Sequence, residues 1–343
     1  MSRVGTRLKR QWKRPRDKMA VLGIESSAHT LGVGIVEKGK VLSNEKIMYE
    51  IGTTGIIPAK AADLHSGNIG IVLANALSKA GMTMKDIDAV GYTKGPGLGP
   101  CLRIGQLSAL ALSMRYRIPI LPVNHAVGHI EATRQSFGAK DPIVLYVSGG
   151  NSQILGLVDE PFRHYHIFGE TFDVGVGNML DSFAREAKLN PAWGSSVAKL
   201  AEGGKYIDMP YTVKGMDFTF TGLLTSAVKK LGTNSARDVA YSMQETAFAM
   251  LCEATERALL LTKKNEILLS GGVAQSKRLG EMMRLMAESH AAKVFVAPNE
   301  LNADNGAMIA LVAEKMLQSG MKYSAKDCGT KQKYRIDTAE IRW

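Results

Sequence analysis

Short apolar runs that end in small polar residues recur along this chain of 343 residues. Ala20–Ile24 leads into Glu-Ser-Ser and a second apolar run, Leu31–Val36; Ile143–Val147 leads into Ser-Gly-Gly-Asn and Gln-Ile-Leu-Gly-Leu-Val; Glu266–Leu269 leads into Ser-Gly-Gly. Such runs bounded by turn residues predict buried strands. Their repetition predicts two copies of one α/β unit that face each other, with loops at the strand ends lining the cleft between them.

Helical periodicity lies between the predicted strands. Apolar residues spaced three and four apart predict helices over Ala61–Ala80, Ile104–Tyr116 and, as the longest of the three, Ala236–Thr262. The alternation of strands with helices is typical of an α/β fold.

Composition narrows the class of protein. Hydrophobic residues make up 45% of the chain and charged residues 22%, which is enough apolar side chain for a sizeable core. The three cysteines, Cys101, Cys252 and Cys328, are far apart and form no CxxC pair, so we expect neither a disulfide framework nor a cysteine zinc site. Free thiols favour a reducing, cytoplasmic location. We expect no membrane span and no signal peptide, because the apolar runs are too short.

The net charge of +11 is unevenly distributed. Residues 1–18 hold eight basic side chains against Asp17 alone, and the rest of the chain is only mildly basic. This segment is predicted to be a disordered, solvated arm, although an arm that binds phosphates would have the same composition.

Two histidines are spaced for a shared metal ion. His125 and His129 lie four residues apart, so that on a helix both imidazoles occupy one face. Asp304, in Ala-Asp-Asn-Gly after a predicted strand, either caps a helix or completes a His, His, Asp ligand set for a divalent transition metal.

Three loops are candidates for binding a nucleotide. Ser148–Asn151 follows a strand and is rich in glycine, which lets backbone N–H groups approach a phosphate. Lys94–Pro100 leads into the start of a helix and could bind an anion there, but it lacks the GK[ST] ending of a P-loop and is predicted to be a rigid connector. Asp173 and Asp181 flank a predicted helix start, where either could cap the helix or bind a ribose hydroxyl or a metal.

Eight motifs follow one another in a specific order. They are Gly-Ile-Glu-Ser-Ser, Gly-Pro-Gly-Leu-Gly-Pro-Cys-Leu-Arg, Asn-His-x-x-Gly-His-Ile-Glu, Tyr-Val-Ser-Gly-Gly-Asn, Gly-Glu-Thr-x-Asp, Gln-Glu-Thr-x-Phe, Ser-Gly-Gly-Val-Ala and Ala-Asp-Asn-Gly-Ala-Met-Ile-Ala. With them the chain resembles the universal tRNA threonylcarbamoyltransferase family, whose archaeal and eukaryotic form is the catalytic subunit of the KEOPS complex. The resemblance extends from Met19 to Trp343.

The resemblance implies a fold and a reaction. The fold would be α/β and actin-like, of the ASKHA type, with two duplicated RNase H-like domains around a central cleft. Residues 19–140 would form the first domain, 141–320 the second, and 321–343 a C-terminal segment returning to the first. The enzyme would transfer a threonylcarbamoyl group from threonylcarbamoyl-AMP to the N6 amine of adenosine 37, in tRNAs that read codons beginning with adenine, and release AMP.

The resemblance also implies site residues, a cofactor and partners. One divalent metal, Fe²⁺ more readily than Zn²⁺, would be bound by His125, His129, Tyr146 and Asp304. Glu25 would act as a base, bind the acceptor or have a structural role. Partners would be tRNA, a small kinase-like ATPase, a dimerising subunit and a tRNA-binding subunit, without a membrane. Nucleotide contacts would come from Tyr146, Val147, Ser148, Gly149, Gly150, Asp181, Gly194 and the region of Ser276.

Three departures from the family pattern and three rival functions bear on this expectation. The histidine pair that the family usually has after the first helix entrance reads Leu64-His65 here. Ala198 stands where the family usually has Glu, and Ser276 where it has Asn, which puts nucleotide affinity in question. A kinase or ATPase of the same fold would hold magnesium with carboxylates instead of a histidine pair. A peptidase of the HExxH type would need Glu in place of Ala126. A noncatalytic tRNA-modification scaffold would not need a metal set.

Overall fold

The computed structural model describes residues 19–50, 55–296 and 303–343, and the basic segment 1–18 lies outside them. Two five-stranded sheets organise the described chain. The first has the strand order β3-β2-β1-β4-β5, in which β1 pairs antiparallel with β2 and parallel with β4. Its strands are β1 (Ala20–Glu25), β2 (Thr30–Glu37), β3 (Lys40–Met48), β4 (Ile87–Gly95) and β5 (Ile120–Asn124).

The second sheet repeats this arrangement. Its order, β8-β7-β6-β11-β12, again joins three antiparallel strands to two parallel ones. The two sheets therefore confirm the internal duplication. The remaining strands are β6 (Ile143–Val147), β7 (Ser152–Val158), β8 (His164–Glu170), the short hairpin β9 (Val213–Lys214) and β10 (Asp217–Phe218), β11 (Glu266–Ser270) and β12 (Lys293–Val296).

The third predicted repeat, which begins at Glu266, differs from the first two. After β11 the chain enters a 3-10 helix, Gly272–Gln275, and then a helix instead of a second antiparallel strand. The glycines of Ser-Gly-Gly serve here to turn the chain close to the neighbouring strand, since Gly271 has a φ of +95° and packs on the carbonyl of Val147.

The predicted helices are present, and two of them begin earlier than predicted. The long helix has the predicted bounds, whereas the other two start at Pro58 and Gly99, because proline and glycine fit the first turn, where N–H groups have no helical partner. The helices are α1 (Pro58–Ala80), α2 (Gly99–Tyr116), α3 (His125–Phe137), α4 (Val176–Glu186), α5 (Gly194–Ala201), α6 (Thr221–Lys230), α7 (Ala236–Thr262), α8 (Lys277–Glu288) and α9 (Gly306–Gln318). None of them is long and apolar enough to cross a membrane.

The last helix packs on the first sheet, although the sequence places it within 141–320. Its first turns lie directly against β1 and β2 with no side chain between the backbones. A Cβ atom added to Gly34 would lie 2.3 Å from the backbone nitrogen of Ala307, and one added to Gly23 would lie 2.2 Å from that of Ala310. Glycine is therefore required where α9 meets the sheet.

Replacing Gly34 with alanine tests this contact. We expect Gly34→Ala to lower the free energy of unfolding by about 3 kcal/mol or more, because the added methyl group overlaps backbone that cannot move independently. The matched control is Gly67→Ala in α1, where nothing lies within 4 Å of the new atom and alanine should stabilise the helix by about 0.5–1 kcal/mol. Urea denaturation of both variants measures the difference, and equal stabilities would contradict the packing argument.

Candidate active site

The histidine pair is positioned by the cap of α3. The side-chain oxygen of Asn124 accepts the N–H groups of Ala126 and Val127 at 3.0 and 3.3 Å, so that the helix begins at His125. His129 follows one turn later on the same face, as predicted. The two Nε2 atoms lie 3.2 Å apart.

Asp304 completes the cluster from the far end of the chain. Its Oδ1 lies 3.2 Å from Nε2 of His129 and 3.5 Å from Nε2 of His125. The alternative reading of Asp304 as a helix cap does not apply, because Asn305 fills that role by accepting the N–H of Met308 at 3.0 Å. One ligand atom from each of the two histidines and Asp304 lies within 4.8 Å of the others.

Glu25 is fully buried behind His125. Its Oε2 lies 3.1 Å from Nδ1 of His125 and accepts the hydroxyl of Thr93 at 2.6 Å, while its Oε1 accepts the N–H of Ser27. A carboxylate bound to one ring nitrogen fixes the tautomer and aims the other nitrogen. Glu25 therefore directs Nε2 of His125 toward Asp304. Sequence reasoning missed Thr93, although a polar residue at the end of a buried strand was a usable signal.

The charges of these groups depend on one another. Burial alone would lower the pKa of His125, but the carboxylates of Glu25 and Asp304 raise it to about 9. Burial would raise the pKa of Asp304, yet attraction to His125 and a hydrogen bond to His129 hold it well below its usual range. The cluster is thus a compact arrangement of imidazoles and carboxylates in which a bound cation would replace the proton held by His125.

Tyr146 lies beside the cluster at the end of β6. Its ring centroid is 6.0 Å from that of His129, and the side chain is buried. Burial, and then the negative charge of Asp304, raise the pKa of its hydroxyl, so that without a cation the group is a neutral phenol. Two imidazole nitrogens, a carboxylate and a nearby phenol form a donor set that suits a divalent transition metal.

The Ser-Gly-Gly loop begins two residues after Tyr146, directly beyond the end of β6 at Val147. The carbonyls of Ser148 and Gly149 accept the N–H groups of Gly177 and Asn178 at the start of α4, which holds the loop against that helix. Gly149 and Gly150 are exposed, and within the described chain no hydrogen bond engages their N–H groups. Val147 is fully buried and offers only its backbone. The loop thus presents two free N–H donors next to the histidine cluster.

Neither flanking aspartate caps α4, whose cap is Gly175. Asp173 accepts the N–H groups of Phe220 and Thr221 at the start of α6. Asp181 accepts the N–H of Gly194 at 2.8 Å, at the start of α5, and burial raises its pKa. Each carboxylate joins α4 and its approach loop to a later helix, because N-terminal N–H groups lack helical partners.

Ser276, the last of the predicted nucleotide-binding residues, has a structural role as a helix cap. The hydroxyl of Ser276 caps α8 by accepting the N–H of Leu279 at 3.4 Å. Ser276 directly follows the 3-10 helix that comes after β11. The end of β11 lies next to the end of β6 in the second sheet. Ala198 lies half-buried on α5, the helix whose first N–H is held by Asp181.

The fold and the site define an actin-like α/β protein with a candidate metal cluster beside a glycine loop. Among solved structures, HypF of Thermococcus kodakarensis has a TM-score of 0.61 at 16% identity, covering 91% of this chain and 49% of that one. The (R)-2-hydroxyglutaryl-CoA dehydratase component A of Acidaminococcus fermentans has a TM-score of 0.54 at 13% identity, covering 88% and 99%. These similarities confirm the fold alone.

The sequence relatives show the family. The family model described as tRNA N6-adenosine threonylcarbamoyltransferase matches residues 38–311. Proteins of that name are 48% identical in Thermococcus sibiricus, covering 95% of this chain and all of the relative, and 44% identical in Methanopyrus kandleri, covering 95% and 96%. The chain belongs to the tRNA N6-adenosine threonylcarbamoyltransferase family, as the motifs indicated.

A longer relative carries the same region within a larger protein. The probable bifunctional tRNA threonylcarbamoyladenosine biosynthesis protein of Thermoplasma acidophilum is 45% identical over 327 residues, which cover 95% of this chain and 61% of that protein.

Metal binding tests the cluster directly. We expect the full chain to bind one equivalent of Fe²⁺ or Zn²⁺ and His129→Ala to lose this stoichiometric binding, because three donor atoms converge and one is removed. His166→Ala, at an exposed imidazole on β8, is the matched control and should bind normally. Calorimetry with circular dichroism as a check on folding measures both. Equal metal content in the two folded variants would contradict the assignment.

Glu25→Gln tests the orienting contact. We expect metal affinity to fall about 10- to 100-fold with the stoichiometry unchanged, because the neutral amide no longer fixes the tautomer of His125. The same titration measures this effect. A variant that keeps the wild-type dissociation constant would show that the buried carboxylate does not act through His125.

Proposed function

We propose that this protein transfers the threonylcarbamoyl group of threonylcarbamoyl-AMP to the N6 amine of adenosine 37 in tRNAs that read codons beginning with adenine. The observation that carries the proposal is the convergence of His125, His129 and Asp304 beside the Ser148–Gly150 loop, in a chain of this family. In this reaction the amine forms a bond to the carbamoyl carbon, the bond from that carbon to the phosphate oxygen breaks, AMP leaves with the electron pair, and the amine loses a proton.

The metal would be held by His125, His129 and Asp304, with Tyr146 as a fourth ligand. When bound, it supplies Lewis-acid polarisation of the donor, which matters because an exocyclic amine is a poor nucleophile. Iron in the ferrous state suits the mixture of imidazole, carboxylate and phenol, and zinc is the alternative. Support for Tyr146 comes from its burial and from the 6.0 Å separation of its ring from that of His129.

The phosphate of the donor would lie on the Ser148–Gly150 loop. The free N–H groups of Gly149 and Gly150 can donate to its oxygens, and they would also stabilise the charge that grows on the leaving phosphate. The nucleoside would extend along Asp181 and Gly194 and past the backbone of Val147 and the Ser276 turn. Because Ser276 already caps α8 and Ala198 carries no polar atom, we propose that main-chain groups contribute more to nucleotide binding here than in a typical member.

Glu25 acts as a positioning residue in this scheme. Its carboxylate is fully buried and already bonded to His125, Thr93 and Ser27, which leaves a poor path to a substrate proton. We therefore assign the loss of the N6 proton to solvent or to the departing phosphate.

The protein would work as the catalytic subunit of a KEOPS complex in the cytoplasm. A kinase-like ATPase, a dimerising subunit and a tRNA-binding subunit would accompany it. Support comes from family membership, from a sequence that is only mildly basic after residue 18, and from three buried cysteines that are all unpaired. We expect weak, salt-sensitive tRNA binding by the isolated chain.

Transfer of labelled threonine to tRNA tests the function. Purified protein is incubated with threonylcarbamoyl-AMP and tRNA, with and without the partner subunits, after chelation and after metal is restored. We expect threonylcarbamoyladenosine that disappears on chelation and is absent with His125→Ala, while His166→Ala retains activity, because His166 lies outside the cluster.

Two other outcomes would contradict the proposal. Product formation that survives complete metal removal would exclude the role given to the cluster. ATP hydrolysis without product under any combination would favour a kinase or ATPase of the same fold.

A further inference from the structure

An open, basic cavity lies at the surface formed by the C-terminal segment. Its volume is about 690 Å³, and its lining residues are Lys94, Lys322, Tyr323, Lys326, Asp327, Gly329, Thr330 and Lys331. We call its four lysines, Lys94, Lys322, Lys326 and Lys331, the lysine surface. Neither the metal cluster nor the nucleotide loop uses any of these side chains.

The charge of the lysine surface is not neutralised. In the described parts of the chain none of its ammonium groups forms an ion pair with a carboxylate. The single acidic side chain of the lining, Asp327, accepts both the N–H and the hydroxyl of Ser324, at 2.8 and 2.7 Å. Lys94 donates to the backbone carbonyl of Asp327 instead of its carboxylate, at 3.0 Å. Four ammonium groups and a single carboxylate therefore surround one cavity, which leaves it with a net positive charge.

Two hydrogen bonds connect this surface to the strand ends next to the helix of the histidine pair. The N–H of Lys331 donates to the carbonyl of Lys94 at 2.7 Å, at the end of β4. The side chain of Asn124, whose oxygen caps the helix of the histidine pair, donates from Nδ2 to the carbonyl of Tyr334 at 3.2 Å. The segment that carries the lysines is thus fixed at the edge of the sheet where His125 begins α3.

Aromatic side chains accompany the lysines. Lys331 and Lys94 lie over the ring of Tyr334, with Nζ 5.1 and 5.8 Å from its centroid, and Tyr323 lines the cavity. Both tyrosines are half-buried and pack on the core, so the ring of Tyr334 positions two of the ammonium groups and the charges are what this surface offers to a ligand. Lysines clustered on one face are the electrostatic footprint of a surface that binds the backbone of a nucleic acid.

We propose that the lysine surface binds phosphate groups of the tRNA strand that presents its adenosine to the histidine cluster. The inference rests on the proposed function, because it takes tRNA to be the acceptor. Separate lysines around an open cavity suit successive phosphates of a polynucleotide better than the compact phosphate of a free nucleotide. Such contacts position the RNA without reading its sequence.

The double variant Lys322→Gln and Lys326→Gln tests the inference. Both side chains are exposed and form no ion pair within the described chain, so the fold should be unaffected. We expect the dissociation constant for fluorescent tRNA to rise about tenfold, and the slope of log K against log salt to become shallower by about 2, since two phosphate contacts are lost. Fluorescence anisotropy of the full chain at several salt concentrations measures both.

The matched control is Lys40→Gln with Lys85→Gln, which removes the same charge. In the strand register of the first sheet, Lys40 lies opposite Glu37, and Glu37 lies opposite Ala20 at the start of β1. Ala20 also lies opposite Ile87, the first residue of β4, which Lys85 precedes by two residues. Both lysines therefore lie at the end of the first sheet opposite to Glu25, the last residue of β1. We expect this variant to bind tRNA as the wild type does. The basic segment 1–18 is common to all three proteins and cannot produce the difference.

Three outcomes would overturn the inference. The first is an equal salt slope for the two double variants, and the second is no measurable tRNA binding by the wild type at low salt. The third is a lysine variant that binds tRNA as the wild type does but has lost affinity for ATP or for an acidic peptide. Kinetics separate this inference from the proposed function: in the transfer assay with partners, the lysine variant should raise KM for tRNA and leave kcat and KM for the donor unchanged. If no variant transfers the group, the binding measurement still decides the role of the lysine surface.

Discussion

The contact of α9 with the first sheet is the constraint on which the site depends. Gly23 and Gly34 let the helix backbone lie directly on β1 and β2, and Gly306 at the helix start fits against Val33 and Gly34 just as closely. Asp304 stands two residues before that helix, so the depth at which α9 lies decides where the carboxylate is held. Any side chain at the contact would move Asp304 away from the imidazoles of α3.

The second constraint is electrostatic. His125 lies between two carboxylates, Glu25 on Nδ1 and Asp304 near Nε2, and the two Nε2 atoms of the histidine pair are 3.2 Å apart. Buried charges persist only when they are paired. Here Glu25 is paired with His125, and Asp304 lies close to both His125 and His129. The arrangement is pre-organised, because the cap at Asn124 and the hydrogen bonds of Glu25 fix the rings before any cation or substrate arrives.

The parts of the site come from both halves of the duplication. Glu25 lies at the end of β1 in the first sheet, whereas Tyr146 lies near the end of β6 in the second and the glycine loop follows that strand. In an open α/β sheet the ends of the strands collect the functional loops, and two such sheets facing each other bring two sets of loops together. The C-terminal segment is hydrogen-bonded to the first of these edges through Lys331 and Tyr334, at the ends of β4 and β5, where His125 begins α3.

The sequence by itself determined the periodic elements, the duplication, the helical histidine pair and the family. It did so because these features depend on spacing within short segments: the apolar period predicted Ala236–Thr262, and four-residue spacing placed His125 and His129 on one face. It could not decide what Asp173 and Asp304 bind, since a carboxylate next to a helix start suits a cap or a ligand equally well. Only the tertiary structure decided this, because the partners of both residues come from distant segments: Phe220 and Thr221 for Asp173, and α3 for Asp304.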